Sequence, residues 1–164
     1  MNDTYNFILK LRAIRDYKTD HLSGADLDAI LEAGRWTGSS KNQQDWSFIA
    51  VTARERLDGL AKFGDYTRPI RDSVATIVLV QERGGNMFDI GRAAQNIMLA
   101  AEAIGVASCP ITLHRSDEAQ DFLGTATGAI VRYAVSLGYA ADNSQPRRRG
   151  GRKNADTVVK LDTY

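Results

Sequence analysis

The sequence has little of what hydrolytic or metal chemistry ordinarily uses. It contains one cysteine, Cys109, and two histidines, His21 and His114, in 164 residues. A single thiol excludes an internal disulfide framework and suits a reducing compartment. No CxxC, HExxH or carboxylate pair at metal-ligand spacing occurs, and no GxGxxG or GxxxxGK is present to cradle phosphates. Both histidines lie in polar surroundings that read as surface. Cys109, followed by Pro110 and flanked by apolar residues, reads as a core thiol rather than a nucleophile. No apolar run approaches the ~18 residues of a membrane span. The N-terminus lacks the basic-then-apolar order of a secretory signal, so a cytoplasmic protein is expected. A formal net charge of +1 gives no long-range field to draw the molecule to nucleic acid or an anionic membrane. An enzyme with this inventory would take its reactive atom from a cofactor.

What is present is a regularly patterned chain, long enough for one domain over residues 1–164. Tyr5, Ile8 and Leu9 have helical spacing within residues 3–11, with Asp3 or Thr4 as candidate caps. Ser23 opens the clearest helix, with Asp26 at the capping-box position and Leu27, Ile30, Leu31 and Gly34 as its buried stripe. A strand over 46–52 and a helix over 54–63 follow. Residues 64–73, punctuated by Gly64 and Pro69, read as irregular. Residues 74–81 are almost wholly apolar and predict a central strand covered on both faces. The longest helix spans 88–104, with Ile90, Ala94, Ile97, Ala101 and Ile104 along one face and Gly105 as its stop. Its alanines permit a close second layer, such as a second subunit. Residues 107–113 form a short strand whose Pro110 lacks a donor, which places it at an edge or bulge. Ser116 is read as the cap of a helix ending at Leu123. Val131, Tyr133, Val135 and Leu137 alternate with Arg132, Ala134 and Ser136, the pattern of a half-buried strand. From Ala140 the chain is a tail, polar and then basic, ending in an apolar piece, Val158-Val159-Lys160-Leu161, able to pair with a sheet edge.

Three stretches hold more polar chemistry than folding requires. Arg12 and Arg15 stand three apart in Leu11-Arg12-Ala13-Ile14-Arg15-Asp16-Tyr17, as cations at a helix C-terminus or as an anion site. Residues 38–46 (Gly-Ser-Ser-Lys-Asn-Gln-Gln-Asp-Trp) read as a solvated connector or a binding loop. Residues 147–153 (Arg-Arg-Arg-Gly-Gly-Arg-Lys) hold five cations in seven positions, which on their own would suit a nucleic-acid-binding tail; no aromatic residues are interleaved with them.

Taken in order, four motifs resemble those of the FMN-dependent nitroreductase-like family. They are residues 12–17, then the helix 27–35 with Ser39-Ser40-Lys41-Asn42-Gln43-Gln44-Asp45-Trp46-Ser47-Phe48. Next come Asp89-Ile90-Gly91-Arg92-Ala93-Ala94-Gln95-Asn96, running on to Cys109-Pro110, and finally Leu137-Gly138-Tyr139, Pro146-Arg147-Arg148 and Gly151-Arg152-Lys153 with Val158-Val159. The resemblance covers nearly the whole chain. The chain departs from the family pattern at Leu11, where an arginine is frequent, at Ala13, where a serine is, and at Gly38 and Asp45, which stand in place of two prolines and should loosen the loop. The connection after Gln81 is short where larger members insert helices, which implies an open site.

The resemblance implies an α+β fold with a central, mostly antiparallel sheet flanked by helices. It implies a homodimer in which the tail, residues 140–164, docks on the partner's sheet, with two FMN molecules at the interface and NAD(P)H as reductant. By matching position, Arg12, Ala13 and Arg15 would meet the phosphate–ribityl side and the N1/O2 edge of the flavin. Arg152 and Lys153 would bind its phosphate. Ser39, Ser40 and Asn42 would reach the flavin of the partner subunit, and Pro110, Ile111, Thr112 and Leu113 would pass beside the ring. Gln44 and Trp46 read as structural. The implied reaction passes hydride from NAD(P)H through the flavin to a small-molecule acceptor such as a nitroaromatic or quinone, with no obligatory protein acid or base. A flavin-binding protein that cleaves or sequesters the flavin is the alternative within the same fold.

Overall fold

β2 (Ala75–Gln81) buries six consecutive residues, and a strand buried on both faces needs cover on both sides. In the computed structural model, which describes residues 2–146 and 151–163, that cover is complete. β2 lies between β1 (Trp46–Val51) and β4 (Ile130–Gly138), and β3 (Ala107–Thr112) completes the order β1-β2-β4-β3. All three neighbouring pairs are antiparallel. The expected α+β architecture is therefore present.

The two faces separate by the alternation of side chains along each strand. Val78 and Val80 of β2 join Cys109, Ile111, Val131 and Ala134 in one core cluster. It is covered by α3 (Arg54–Leu60), α4 (Arg68–Asp72) and α6 (Ser116–Leu123) through Leu57, Leu60, Ile70 and Ala119. Ala75, Ile77 and Leu79 point the other way, with Val135 and Leu137. There they meet Ile30 of α2 (Gly24–Arg35) and Ile90, Ala93, Ile97 and Ala101 of α5 (Met87–Ala103). Gly34 lets the two helices approach: a Cβ there would come within 2.9 Å of Ile97. Cys109 is buried, as expected of a core thiol.

Several local expectations are corrected. α1 (Asp3–Lys10) is capped by the Asn2 side chain, not by Asp3 or Thr4. It buries no residue, so its apolar spacing faces outward. Ser23 does cap α2, accepting from the Asp26 amide, but the Asp26 carboxylate accepts from Tyr139. Residues 64–73 are not wholly irregular, because Pro69 in the first turn starts α4. Ser116 is the first helical residue of α6 rather than its cap; Arg115 holds that position without a side-chain bond. β4 is half-buried only at its start. From Ala134 to Gly138 every residue is buried, because β4 is an interior strand. The tail forms no strand among the described residues. Residues 155–158 are a short helix, α7 (Ala155–Val158), and Val158, Val159 and Leu161 are exposed. Arg147 and Arg148 lie outside the described residues. No described helix is long and apolar enough to cross a membrane.

The segment after α1 is extended instead of helical, and Tyr17 ties it to the sheet. Its phenol donates to the Ile14 carbonyl at 2.8 Å and lies 2.8 Å from the Ser136 hydroxyl. Replacing Tyr17 by Phe should lower stability by about 1–2 kcal/mol in urea denaturation. Burial pushes the phenol above its ordinary value. The folded state therefore keeps a proton that the unfolded chain begins to release near pH 10. Stability should fall as pH rises beyond about 10, and Tyr17→Phe should flatten that alkaline limb.

Candidate functional site

α1 ends at Leu11, whose extended backbone turns the chain away from the helix. Arg12 folds back and donates to the Leu9 and Leu11 carbonyls at 2.7 and 2.8 Å, so it caps that helix end. Ala13 packs on the sheet, and the Ile14 amide donates to the Ser108 carbonyl at 2.9 Å. This bond carries the segment alongside β3. Asp16 accepts from Arg68 at 2.6 Å, which fixes the far end. Arg15, between these ties, is partly buried and has no hydrogen bond or ion pair to another described residue. A guanidinium with no ion pair among the described residues, on a half-buried residue, suits an anionic ligand, and this is the observation by which a phosphorylated flavin fits here.

β3 is an edge strand, one of the two placements open to Pro110. Pro110 is exposed and Thr112 partly so, whereas Ile111 and Leu113 are buried in the core. Pro110 and Thr112 can therefore offer side chains to a ligand, while Ile111 and Leu113 can offer only backbone. Gly64 lies against this strand end: a Cβ there would sit 2.6 Å from the Thr112 carbonyl oxygen. Beyond it, the Asp65 carboxylate accepts from Arg115 at 2.8 Å, and that bond holds its pKa below the usual carboxylate value.

The loop over residues 38–46 lies at the opposite end of the sheet, entering β1. Lys41, Asn42 and Gln44 have φ of 52°, 54° and 57°. Left-handed backbone at a non-glycine residue costs about 1–2 kcal/mol and persists only where surrounding bonds over-determine it. Those bonds are present. Ser39 Oγ accepts from the Gln44 amide at 2.9 Å, and Gln44 Nε2 donates to the Asn42 carbonyl at 3.2 Å. The Trp46 amide donates to the Gln44 carbonyl at 2.7 Å, and the Glu82 amide to the Asp45 carbonyl at 3.1 Å. Gly85 gives Asp45 its place, since a Cβ there would overlap the Asp45 carbonyl oxygen. The expected loosening at Gly38 and Asp45 is corrected: local hydrogen bonds and a tight glycine contact hold the loop where prolines are missing. Gln44 and Trp46 have the structural parts expected of them.

The structure thus brings Arg12, Ala13 and Arg15 together with the strand that carries Pro110 and Thr112. It does not bring Ser39, Ser40 and Asn42 to them within one chain. Three strand spacings of ~4.8 Å each separate β1 from β3. Arg152 and Lys153 are exposed in the stretch just before α7. Sequence reasoning missed Tyr17, Asp16 with Arg68, and the glycines at 64 and 85 as positioning groups. Each acts through a partner remote in sequence, and periodicity carries no trace of such pairings. Gly64→Ala should force the 64–67 turn off β3, costing about 1–3 kcal/mol in chemical denaturation; an unchanged midpoint would show that Thr112 can yield.

A family model described as Nitroreductase family matches residues 8–81 and 70–139. A protein of Archaeoglobus fulgidus, provisionally named NADH dehydrogenase/NAD(P)H nitroreductase, is 27% identical, over 96% of this chain and 97% of its own. The NADPH-flavin oxidoreductase of Vibrio harveyi is 26% identical, over 91% of this chain and 70% of its own. The crystal structure of nitroreductase A from Vibrio parahaemolyticus superposes with a TM-score of 0.90 at 26% identity, over 100% of this chain and 77% of that one.

Proposed function

This chain belongs to the nitroreductase family, and from that premise we propose that it is an FMN-dependent NAD(P)H oxidoreductase acting on a small-molecule acceptor such as a nitroaromatic or quinone. The observation that carries the proposal is Arg15, half-buried beside the edge strand with no hydrogen bond or ion pair to another described residue. FMN, when bound, supplies the centre that accepts hydride from NAD(P)H and delivers reducing equivalents onward. The protein's part is binding and electrostatics. Arg15, with Arg12 next to it, holds the anionic groups of the cofactor and favours the negative charge of its reduced form. Ala13 leaves room at the sheet surface. Pro110 offers an apolar surface with no amide to leave unsatisfied, and Thr112 a hydroxyl beside it. Ile111 and Leu113 keep that backbone rigid from within the core. Arg152 and Lys153 complete the phosphate clamp.

The half-sites at opposite sheet edges support a homodimer in which Ser39, Ser40 and Asn42 serve the flavin held by the partner subunit. Two further features support this. α1 exposes Tyr5, Ile8 and Leu9, an apolar helix face with nothing on it. The tail, residues 140–164 of a single domain over 1–164, exposes Val158, Val159 and Leu161 and would dock on the partner. The protein would work in the cytoplasm, with neither nucleic acid nor membrane as a partner.

One observation favours a second reading. Residues 82–86 alone connect β2 to α5, so no added helix walls the site, and a flavin-cleaving or flavin-sequestering protein would tolerate that openness. Anaerobic NAD(P)H separates the two: bleaching of the yellow protein marks a reductase, and yellow colour that persists marks the alternative. Arg15→Ala and Arg152→Ala should each weaken FMN binding by about 10–100-fold in fluorescence titration, the value of a charged hydrogen bond. Unchanged affinity in both variants would remove the clamp.

A further inference from the structure

We propose that Arg92 is a positioning residue that holds the 38–46 loop in the shape its flavin contacts need. The inference rests on the reading of Ser39, Ser40 and Asn42 as flavin contacts. Three of the four non-glycine residues with positive φ among the described residues are Lys41, Asn42 and Gln44. A loop so wound relaxes unless both ends are fixed. The downstream end is fixed by the Glu82 amide on the Asp45 carbonyl at 3.1 Å and by the pairing of Trp46 with Gln81. The bonds within residues 39–44 join the loop only to itself.

The upstream end depends on α5. Asn96 donates to Thr37 Oγ1 at 2.9 Å, and Arg92 Nη1 donates to the Gly38 carbonyl at 2.6 Å. The Arg92 bond is the last tie to the scaffold before Ser39. The guanidinium is itself held: Asp89, a buried carboxylate, lies 3.5 Å away, and the Phe88 ring centroid lies 5.7 Å from its central carbon. Gly38 makes the arrangement possible, because a Cβ there would come 3.2 Å from Arg92 Nη2. Arg92 therefore acts on the flavin only through the loop. A lysine there keeps the charge and loses the planar fork, so it should restore the tie in part.

The test uses full-length wild type, Arg92→Ala and Arg92→Lys. Hydrogen–deuterium exchange across 38–46 is measured in the flavin-free protein, followed by FMN affinity and the visible circular dichroism of bound flavin. In Arg92→Ala, exchange at the Gln44 and Trp46 amides should quicken at least tenfold, FMN affinity should drop about tenfold, and the flavin dichroism should change. The Tm of the flavin-free protein should hold, and Arg92→Lys should lie between. Unchanged exchange overturns the proposal, as does faster exchange with FMN affinity and dichroism intact. A fall in flavin-free Tm that alone accounts for the lost affinity also overturns it. Wild-type protein that takes up no FMN overturns the flavin reading itself, a result read from the wild type without the variants.

Discussion

The burial of β2 on both faces is the constraint from which the layout follows. A strand of Ala-Thr-Ile-Val-Leu-Val-Gln cannot leave either face to water, so α2 and α5 cover one side of the sheet and α3, α4 and α6 the other. Both faces of the sheet centre are thus occupied by helices. The proposed binding groups lie at the edges. Arg12, Arg15 and Pro110 gather at β3, and the polar loop gathers at β1. The strand order β1-β2-β4-β3 places these edges on opposite sides of one sheet, so the two groups do not meet within one chain. The proposed dimer is then a consequence of where the sheet ends.

At the β3 edge, one backbone bond and two side-chain anchors do the positioning. The Ile14 amide on Ser108, the Tyr17 phenol on Ile14 and Ser136, and Asp16 on Arg68 pin the segment on both sides of Arg15. Gly138 contributes by absence, since a Cβ there would lie 3.0 Å from the Tyr17 ring. Arg15, on this half-buried segment, makes no hydrogen bond or ion pair to another described residue. Ion pairs elsewhere are mostly exposed, such as Arg35 on Glu32, where the arginine and the Trp36 indole draw the carboxyl down to about 2. Such surface pairs add little to stability.

At the β1 edge the solution differs. Prolines would restrict the loop through the unfolded chain as well as the folded one. This chain has Gly38 and Asp45 instead and relies on native bonds to hold three left-handed residues. Such a loop depends on its neighbours, which ties its geometry to α5 and to the 82–86 turn. The same short turn keeps the site free of further walls, so stacking and charge, rather than a shaped pocket, would select the acceptor.

Composition, periodicity and motif order in the sequence by themselves determined the strands and main helices, the central place of residues 74–81, the restriction of Pro110 to an edge or bulge, and the family. These are local matters: alternation, an apolar run, a missing amide, and motifs read in order. Tertiary structure alone decided the rest. Whether residues 11–16 continue a helix depends on Ser108 being there to accept from Ile14. Whether β4 is half or fully buried depends on its having two neighbours. Whether Arg12 caps a helix and Arg15 stands open depends on how the chain leaves Leu11. What ties the upstream end of the loop to the scaffold is Arg92, distant in the chain and off the buried stripe of its helix. In each case the deciding partner is far away in sequence, where hydrogen-bond geometry and packing act and periodicity does not reach.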